Sequence, residues 1–450
     1  MPDIIALLQC LRPFLTAATL RQFSRIALAI LGMTGRVTML GISRWAGQGG
    51  SYRSVQRFFH TALPWATLFW TFFRQHMHRP NDVYLLAGDE VVVSKAGKHT
   101  YGLDRFFASL YGRPIRGLAF FGLALISTQE RRAHPLQIEQ VVRSEAEKAA
   151  CQAKAAAKKS PKLVERRKPG RPRGSKNRAS ADVPLTPELL RIQAMLETAL
   201  KLIAGVIPLT YLALDGHFGN NSALQMVRQC GLHLISKLRC DSALYLPYDG
   251  PYSGHGAHRK YGAKLDYQHL PDKYLKEKTV EGQIETQTYQ IQCLHKEFGQ
   301  PLNVVIIVKT NLQTQRWSHV ILFSSDLALP FDKLIDYYSL RFQIEFNFRD
   351  AKQYSGLEDF MNVTQTAVTN AANLALSMVT LSQRLLRDFQ SADQDYSIQD
   401  LKAHCRGYKY VAETIKLLPE KPEPVLLAHI FSQVACLGRI HTVHTNLNAP

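Results

Sequence analysis

The chain has 450 residues, 46% hydrophobic and 10% aromatic, so it can bury a large core and is long enough for two or three domains. Its 55 Lys and Arg against 36 Asp and Glu leave a formal charge of +19, which points to a polyanionic partner, nucleic acid before membrane. Seven cysteines, at 10, 151, 230, 240, 293, 405 and 436, form no CxxC and no paired Cys/His spacing, which argues against a zinc site and suits a reducing cytoplasm.

The N-terminus is apolar, but Asp3 stands where a signal peptide needs positive charge. Arg12, Arg21 and Arg25 interrupt any long apolar run, and Ile26–Met33 is too short to span a bilayer. Residues 1–80 read as helical. Within them RVTMLGISRWAG, QGGS and YRSVQRFFHTAL have a helix–turn–helix outline, with Gly49 and Gly50 in the turn and Ser51 capping the second helix. Arg53 and Arg57, four apart on that helix, suit phosphates or base edges, and an ordinary packed αα-hairpin is the other reading.

YLLAGDEVVV (84–93) is an apolar, β-rich run interrupted by Gly88, Asp89 and Glu90. Successive strand side chains face opposite ways, so only one of the two acids can join a common site. LAFFGLALIS (118–127) reads as a central strand. Between them lies KAGKHTYGLDRFFASLYGRPIRG, a loop whose Lys95, Lys98, Arg105, Arg113 and Arg116 beside Asp89 suit nucleic-acid backbone, a solvated hairpin being the other reading.

From about 147 to 184 the composition turns to Ala/Lys and then Pro/Gly/Arg, which cannot build a core. Lys168–Gly174 resembles an AT-hook, in which Arg171 and Arg173 would enter a narrow A·T minor groove, although Pro169 stands where the first Arg of its core belongs. A basic tether held near DNA by charge is the alternative. Thr186 and Pro187 then open a helix, and TYLALDGHFGN (210–220) reads as a strand ending at Asp215 before a Gly-rich turn. Alternating patterns in QTYQIQCLH, NVVIIVKT and SHVILFSS predict further strands.

The stretch YSLRFQIEFNFRDAK (338–352) sorts its side chains sharply when read as one helix. At about 100° per residue from Tyr338, Arg341 falls at about 300°, Glu345 at about 340°, Lys352 at about 320° and Arg349 at about 20°. Leu340, Ile344 and Ala351 face a core, while Gln343, Asn347 and Asp350 face away. A solvated stripe with an Arg341–Glu345 pair would contribute only about 0.3–0.5 kcal/mol. The aromatics Phe342, Phe346 and Phe348 around the stripe suggest the floor of a site instead. Residues 356–390 and 396–440 read as mostly helical.

The spacing Tyr338-x2-Arg341-x3-Glu345-x6-Lys352 resembles the Tyr-Arg-Glu-Lys signature of bacterial insertion-sequence transposases of the DDE class, specifically the insertion-sequence-four branch. The resemblance covers residues from roughly 80 to 385. It implies an α/β fold: a ribonuclease-H-like catalytic core with a β-rich insertion, flanked by helical N- and C-terminal regions. It also implies three metal-binding carboxylates, Asp89 on the first strand, Asp215 and Glu345, with Glu90 left in a structural role. The separations, 215 − 89 = 126 and 345 − 215 = 130, suit strands and a helix far apart in sequence. Trp317, 345 − 317 = 28 residues before the glutamate, resembles in position a Trp of hairpin-forming members that stacks a flipped base. A half-buried strand aromatic is the other reading of Trp317.

The expected organisation is a helical DNA-binding domain (1–80), a first part of the core (81–146), a basic linker (147–184) and a second part of the core (185–240). A β-rich insertion (241–326), the glutamate helix with the end of the core (327–390) and a helical C-terminal region (391–450) follow. Carboxylates of this kind bind Mg²⁺, with Mn²⁺ as a substitute, and two such ions serve both hydrolysis and strand transfer. Tyr338, Arg341, Lys352 and Arg349 would hold phosphates beside them. The expected activity is cleavage at insertion-sequence ends and strand transfer into target DNA, cut-and-paste through a hairpin intermediate. The expected partners are double-stranded DNA at the ends and the target, and a second copy in a DNA-bound homodimer; the expected place is the cytoplasm, at the nucleoid, with no membrane. The rivals are another ribonuclease-H-like endonuclease and a catalytically inactive DNA-end-binding protein.

Overall fold

In the computed structural model, which describes residues 4–150, 153, 183–252, 254–390 and 396–441, YLLAGDEVVVS forms one unbroken strand, β1 (Tyr84–Ser94). The strand runs straight through Asp89 and Glu90. Beside it β2 (Asp104–Ala108), β3 (Arg113–Ser127) and β4 (Arg132–Val141) build an antiparallel meander, with β1 paired to β3 along its whole length. The apolar run of β3 is central, as its lack of polar alternation predicts. Its alternate residues enter two different cores. Leu118, Phe120, Ala124 and Ile126 face one side, and Phe121, Leu123 and Leu125 the other.

After helix α6 (Pro187–Ile203), capped by Thr186 as expected, β5 (Tyr211–Ala213) and β6 (His233–Leu238) add parallel strands next to β1, with α7 (Asn221–Gln229) between them. The antiparallel strands β1–β4 continued by the two parallel ones, with crossover helices, make the ribonuclease-H-like arrangement. The later strands do not start a new sheet. β7 (Leu244–Pro247), β8 (Tyr261–Lys264), β9 (Leu275–Glu281), β10 (Ile284–His295), β11 (Leu302–Asn311) and β12 (Trp317–Ser324) extend it, because β12 pairs with β6. The order is β2-β3-β1-β5-β6-β12-β11-β10-β7-β8, with β4 on β3 and β9 on β10.

Helices at both ends cover one face: α1 (Ile4–Leu8), α2 (Ala17–Gly32), α3 (Met39–Trp45), α4 (Tyr52–Phe59) and α5 (Trp65–His76) at the start. Ser51 caps α4 by accepting from Ser54 N at 3.4 Å, and Gly49 takes the positive φ of 80° in the turn before it. Val55, Phe58 and Phe59 pack inward while Arg53 and Arg57 stand exposed. The buried Trp65 indole donates to Asn370 Oδ1 at 2.7 Å, tying α5 to a later helix.

The stretch expected as one helix is two. α8 (Phe331–Leu340) ends and α9 (Gln343–Ser355) begins across Arg341 and Phe342. Arg341 N and Phe342 N bond back to Tyr338 O and Ser339 O, and Ile344 N and Glu345 N to Arg341 O and Phe342 O, so the joint is tightened into i→i−3 turns. Asn347, expected to face away, is buried, because α10 (Gln365–Gln390) and β4 cover that side. Its amide donates to Ala133 O at 3.1 Å and its Oδ1 accepts from Gln383, so the burial leaves it satisfied. α11 (Ile398–Ile415) and α12 (Pro424–Ala435) are the last helices among the described residues. Arg171 and Arg173 lie outside the described residues.

Candidate active site

The sheet register brings the two aspartates together. Ala87 of β1 pairs with Ala213 of β5, and Asp89 and Asp215 each stand two residues beyond that rung. Neighbouring strands are about 4.8 Å apart and side chains repeat every second residue, so both carboxylates share one face. Asp215 sits just past the strand, where its side chain accepts from His217 N at 3.2 Å. Ser236 Oγ donates to Asp215 O at 2.7 Å and holds the turn against β6. Gly219 completes the turn, since a Cβ there would meet Lys237 O at 2.2 Å.

α9 delivers Glu345 to the same face. Gly122 of β3 lies opposite Asp89, and a Cβ on it would meet the Phe348 ring at 2.9 Å. The missing side chain thus lets α9 lie close on the strand that flanks Asp89. Arg341 closes the group. Its Nη1 donates to Asp89 Oδ2 at 3.1 Å and its Nη2 to Glu345 Oε1 at 3.3 Å. The Tyr338 ring lies under the guanidinium, 5.9 Å from it.

The electrostatics follow from partial burial. Desolvation pushes the Asp89 carboxyl up to about 6; Arg341 and the Glu90 N–H pull against this, while Asp215 and Glu345 add to it. Burial disfavours the charge on Arg341, yet Asp89, Tyr338, Glu345 and Asp215 together hold its pKa above the ordinary arginine value. Burial also raises the Tyr338 hydroxyl, with Asp215 and Asp89 adding to the effect against Arg341. Glu90 takes the opposite face, where burial first and Glu188 second raise its pKa. It plays no part in the group around Arg341.

The other expected residues are placed differently. Lys352 Nζ donates to Val92 O at 3.0 Å and pairs with Glu358 at 3.0 Å, which ties α9 to β1 rather than reaching the carboxylates. Arg349 lies against Asp350 at 2.9 Å and over the Phe346 ring at 4.8 Å. Trp317 opens β12, which runs antiparallel to β6 with Leu322 opposite Lys237. Its first residue therefore projects about 14 Å beyond the end of β6 on which the Asp215 turn rests. The Trp317 ring is partly exposed and stacks on His319 at 5.2 Å, and His319 stacks on Tyr267 at 4.6 Å. Sequence reading singled out neither His319 nor Tyr267, although the two-residue spacing of Trp317 and His319 places them on one face of a strand.

All three carboxylates supply hard oxygen donors, which fit Mg²⁺ or Mn²⁺. Among the described residues, no three His, Cys, Asp or Glu side chains stand arranged to hold a metal ion, and the positive charge between Asp89 and Glu345 is that of Arg341. The donor chemistry fits a cation provided that the guanidinium turns aside. No helix among the described residues is long and apolar enough to cross a membrane.

No curated protein matches the chain. The family model described as DDE superfamily endonuclease matches residues 7–296, a span that holds Asp89 and Asp215 and ends before Glu345. That match covers more than half of the chain and agrees with the sheet order and with two aspartates each two residues past a shared rung: the protein belongs to the DDE superfamily endonucleases, enzymes that cleave DNA.

Proposed function

We propose that the protein is a DNA transposase of the insertion-sequence-four branch, in which Asp89, Asp215 and Glu345 form the metal-binding triad. The observation that carries the reading is the convergence of residues from β1, the turn after β5 and α9: Arg341 touches both Asp89 and Glu345, and Asp89 and Asp215 each stand two residues past the shared Ala87–Ala213 rung. When bound, Mg²⁺ or Mn²⁺ would activate the attacking oxygen and stabilise the leaving one in an in-line displacement. The chain's own part is to hold three carboxylates on one sheet face and to keep a guanidinium ready for a phosphate. Tyr338 beneath it fixes its direction. Residues 1–80, with Arg53 and Arg57 exposed on α4, would bind the element's ends as a DNA-binding domain. Two copies would act together on a pair of ends.

The hairpin route rests on Trp317. Its position past the Asp215 end of the sheet and its partly exposed ring support a role in holding an unstacked base. The test is cleavage by purified protein with Mg²⁺ on DNA carrying the element's ends. Asp89→Asn, Asp215→Asn and Glu345→Gln should each abolish cleavage, with end binding measured by gel shift kept within about twofold, since none removes a phosphate contact. Wild-type-like cleavage by any one of them removes that residue from the triad. Cleavage without strand transfer by the unaltered protein would mark a different endonuclease, and binding without cleavage an inactive end-binding protein.

A further inference from the structure

The β2–β3 hairpin carries an exposed surface that the packing of the protein does not use. Its register sets Arg105 opposite Arg116 and Phe107 opposite Pro114, and Ser109–Tyr111 form the tip. The inner face of the hairpin is settled: Phe106 is buried beneath the Arg143 guanidinium, 4.4 Å from the ring, and Arg143 also bonds Asp104 and Arg105 O. On the outer face Phe107 is 62% exposed, and at the tip Leu110 is 86% and Tyr111 55% exposed. Among the described residues neither the Arg105 nor the Arg116 guanidinium is paired with a carboxylate, and Arg105 Nη2 donates only to Pro114 O at 3.4 Å across the hairpin. Like charges directly across a strand pair repel, and large apolar side chains at a tip gain nothing from water. Both costs vanish against a polyanion with an apolar interior.

The sheet shows where this surface points. Pro114 and Arg116 have the same parity on β3 as Gly122, which faces Asp89 across the ladder. The outer face of the hairpin therefore lies on the Asp89 side of the sheet, about 20–27 Å along the strand. Duplex DNA advances about 3.4 Å per base pair, so a duplex at Asp89 that follows the strand meets the hairpin about 6–8 base pairs away.

We propose that the β2–β3 hairpin is a wedge for double-stranded DNA: Arg105 and Arg116 take phosphates, and Phe107 with the Leu110–Tyr111 tip enters the base stack. An apolar side chain between basic residues is how wedge-bearing proteins unstack and bend a duplex. The inference rests on DNA being the substrate but not on the identity of the catalytic carboxylates.

The test uses the full chain and a mixed-sequence 40-base-pair duplex in EDTA, so that binding is read without cleavage. The triple variant Phe107→Ser, Leu110→Ser, Tyr111→Ser should lose about tenfold in affinity with an unchanged salt slope, as base stacking lost without charge requires. Arg105→Gln with Arg116→Gln should instead flatten the slope by about 2. In Phe107→Trp, which keeps the apolar character, duplex should quench the added indole and shield it from acrylamide. An unchanged affinity of a folded triple variant, or an indole left open to acrylamide in the complex, overturns the wedge. If the triple variant fails to fold, the indole decides. Capture by phosphatidylglycerol vesicles with no binding to the duplex would make the surface a membrane contact. If the unaltered protein binds no duplex at all, the transposase reading falls as well; if it binds but the variants behave as wild type, only the wedge falls.

Discussion

Replacing Arg341 by Gln asks whether one guanidinium allows Asp89 and Glu345 to stand together when no metal is bound. Burial raises the Asp89 carboxyl from 3.8 to about 6 even with Arg341 3.1 Å away. A carboxyl whose folded pKa lies above its unfolded value weakens the fold as pH rises. The cost is absent below about pH 4, grows through the window from about 4 to 6, and above it reaches roughly 3 kcal/mol. Without Arg341 the Asp89 pKa climbs further and the window extends upward. Breaking a fully buried pair from one side costs roughly 3–5 kcal/mol. Here the Arg341 side chain is 13% exposed and that of Asp89 20%, so water screens the site and about 2 kcal/mol is expected at pH 8. At pH 4 Asp89 is protonated in both proteins, and only the Arg341–Glu345 link, about 0.5 kcal/mol, should remain. The assay is urea unfolding in EDTA at pH 4, 6 and 8 for the wild type, Arg341→Gln, Asp89→Asn and the double variant. The cycle should show coupling of about 1.5–2 kcal/mol at pH 8 and almost none at pH 4. A loss equal at every pH, or strictly additive substitutions, refutes the argument.

Trp317→Ala should permit the first nick and slow hairpin formation about 5- to 150-fold, as loss of one base stack of roughly 1–3 kcal/mol requires; equal slowing of both steps in a single-turnover assay would make Trp317 a packing residue. Arg171→Ala with Arg173→Ala should weaken binding to A·T-rich duplexes more than to G·C-rich ones, and an equal loss leaves only the charged tether. Asn370→Ala should cost about 2–4 kcal/mol in urea unfolding, because the amide accepts from Trp65 and donates to Phe59 O and Thr61 O, both at most 2.8 Å away, in a buried site. A loss under about 1 kcal/mol would show that water replaces it.

The parts of the site that local pattern controls were legible in the sequence. Asp89 interrupts an apolar strand run and lies within β1, whereas Asp215, expected at the end of a strand, stands two residues past β5 and caps the turn that follows. Arg341 and Glu345 are four apart in a helical stretch and do meet. The break at Arg341–Phe342 was not legible, because no glycine or proline marks it. Nor was the burial of Asn347, whose partners Ala133 and Gln383 come from distant parts of the chain. Lys352 read as a phosphate ligand because its wheel angle matches Glu345, yet Val92 and Glu358 hold it. Alternation in SHVILFSS predicted a strand, but the pairing of β12 with β6 is a tertiary choice that no local pattern encodes.

The shared rung of Ala87 and Ala213 makes the site a matter of counting. Adding or deleting one residue between that rung and either aspartate turns the carboxylate to the other face of the pleat, where Glu90 already stands. Adding two keeps the face and moves the group about 7 Å along the strand. No change of residue type at those positions does comparable harm to direction. The stretch between Val141 and Pro187 lies outside every rung that aligns β1 with β5, so its length is under no such arithmetic. Descendants of this chain are therefore free to rewrite what separates the aspartates, provided that odd and even are kept beside each of them.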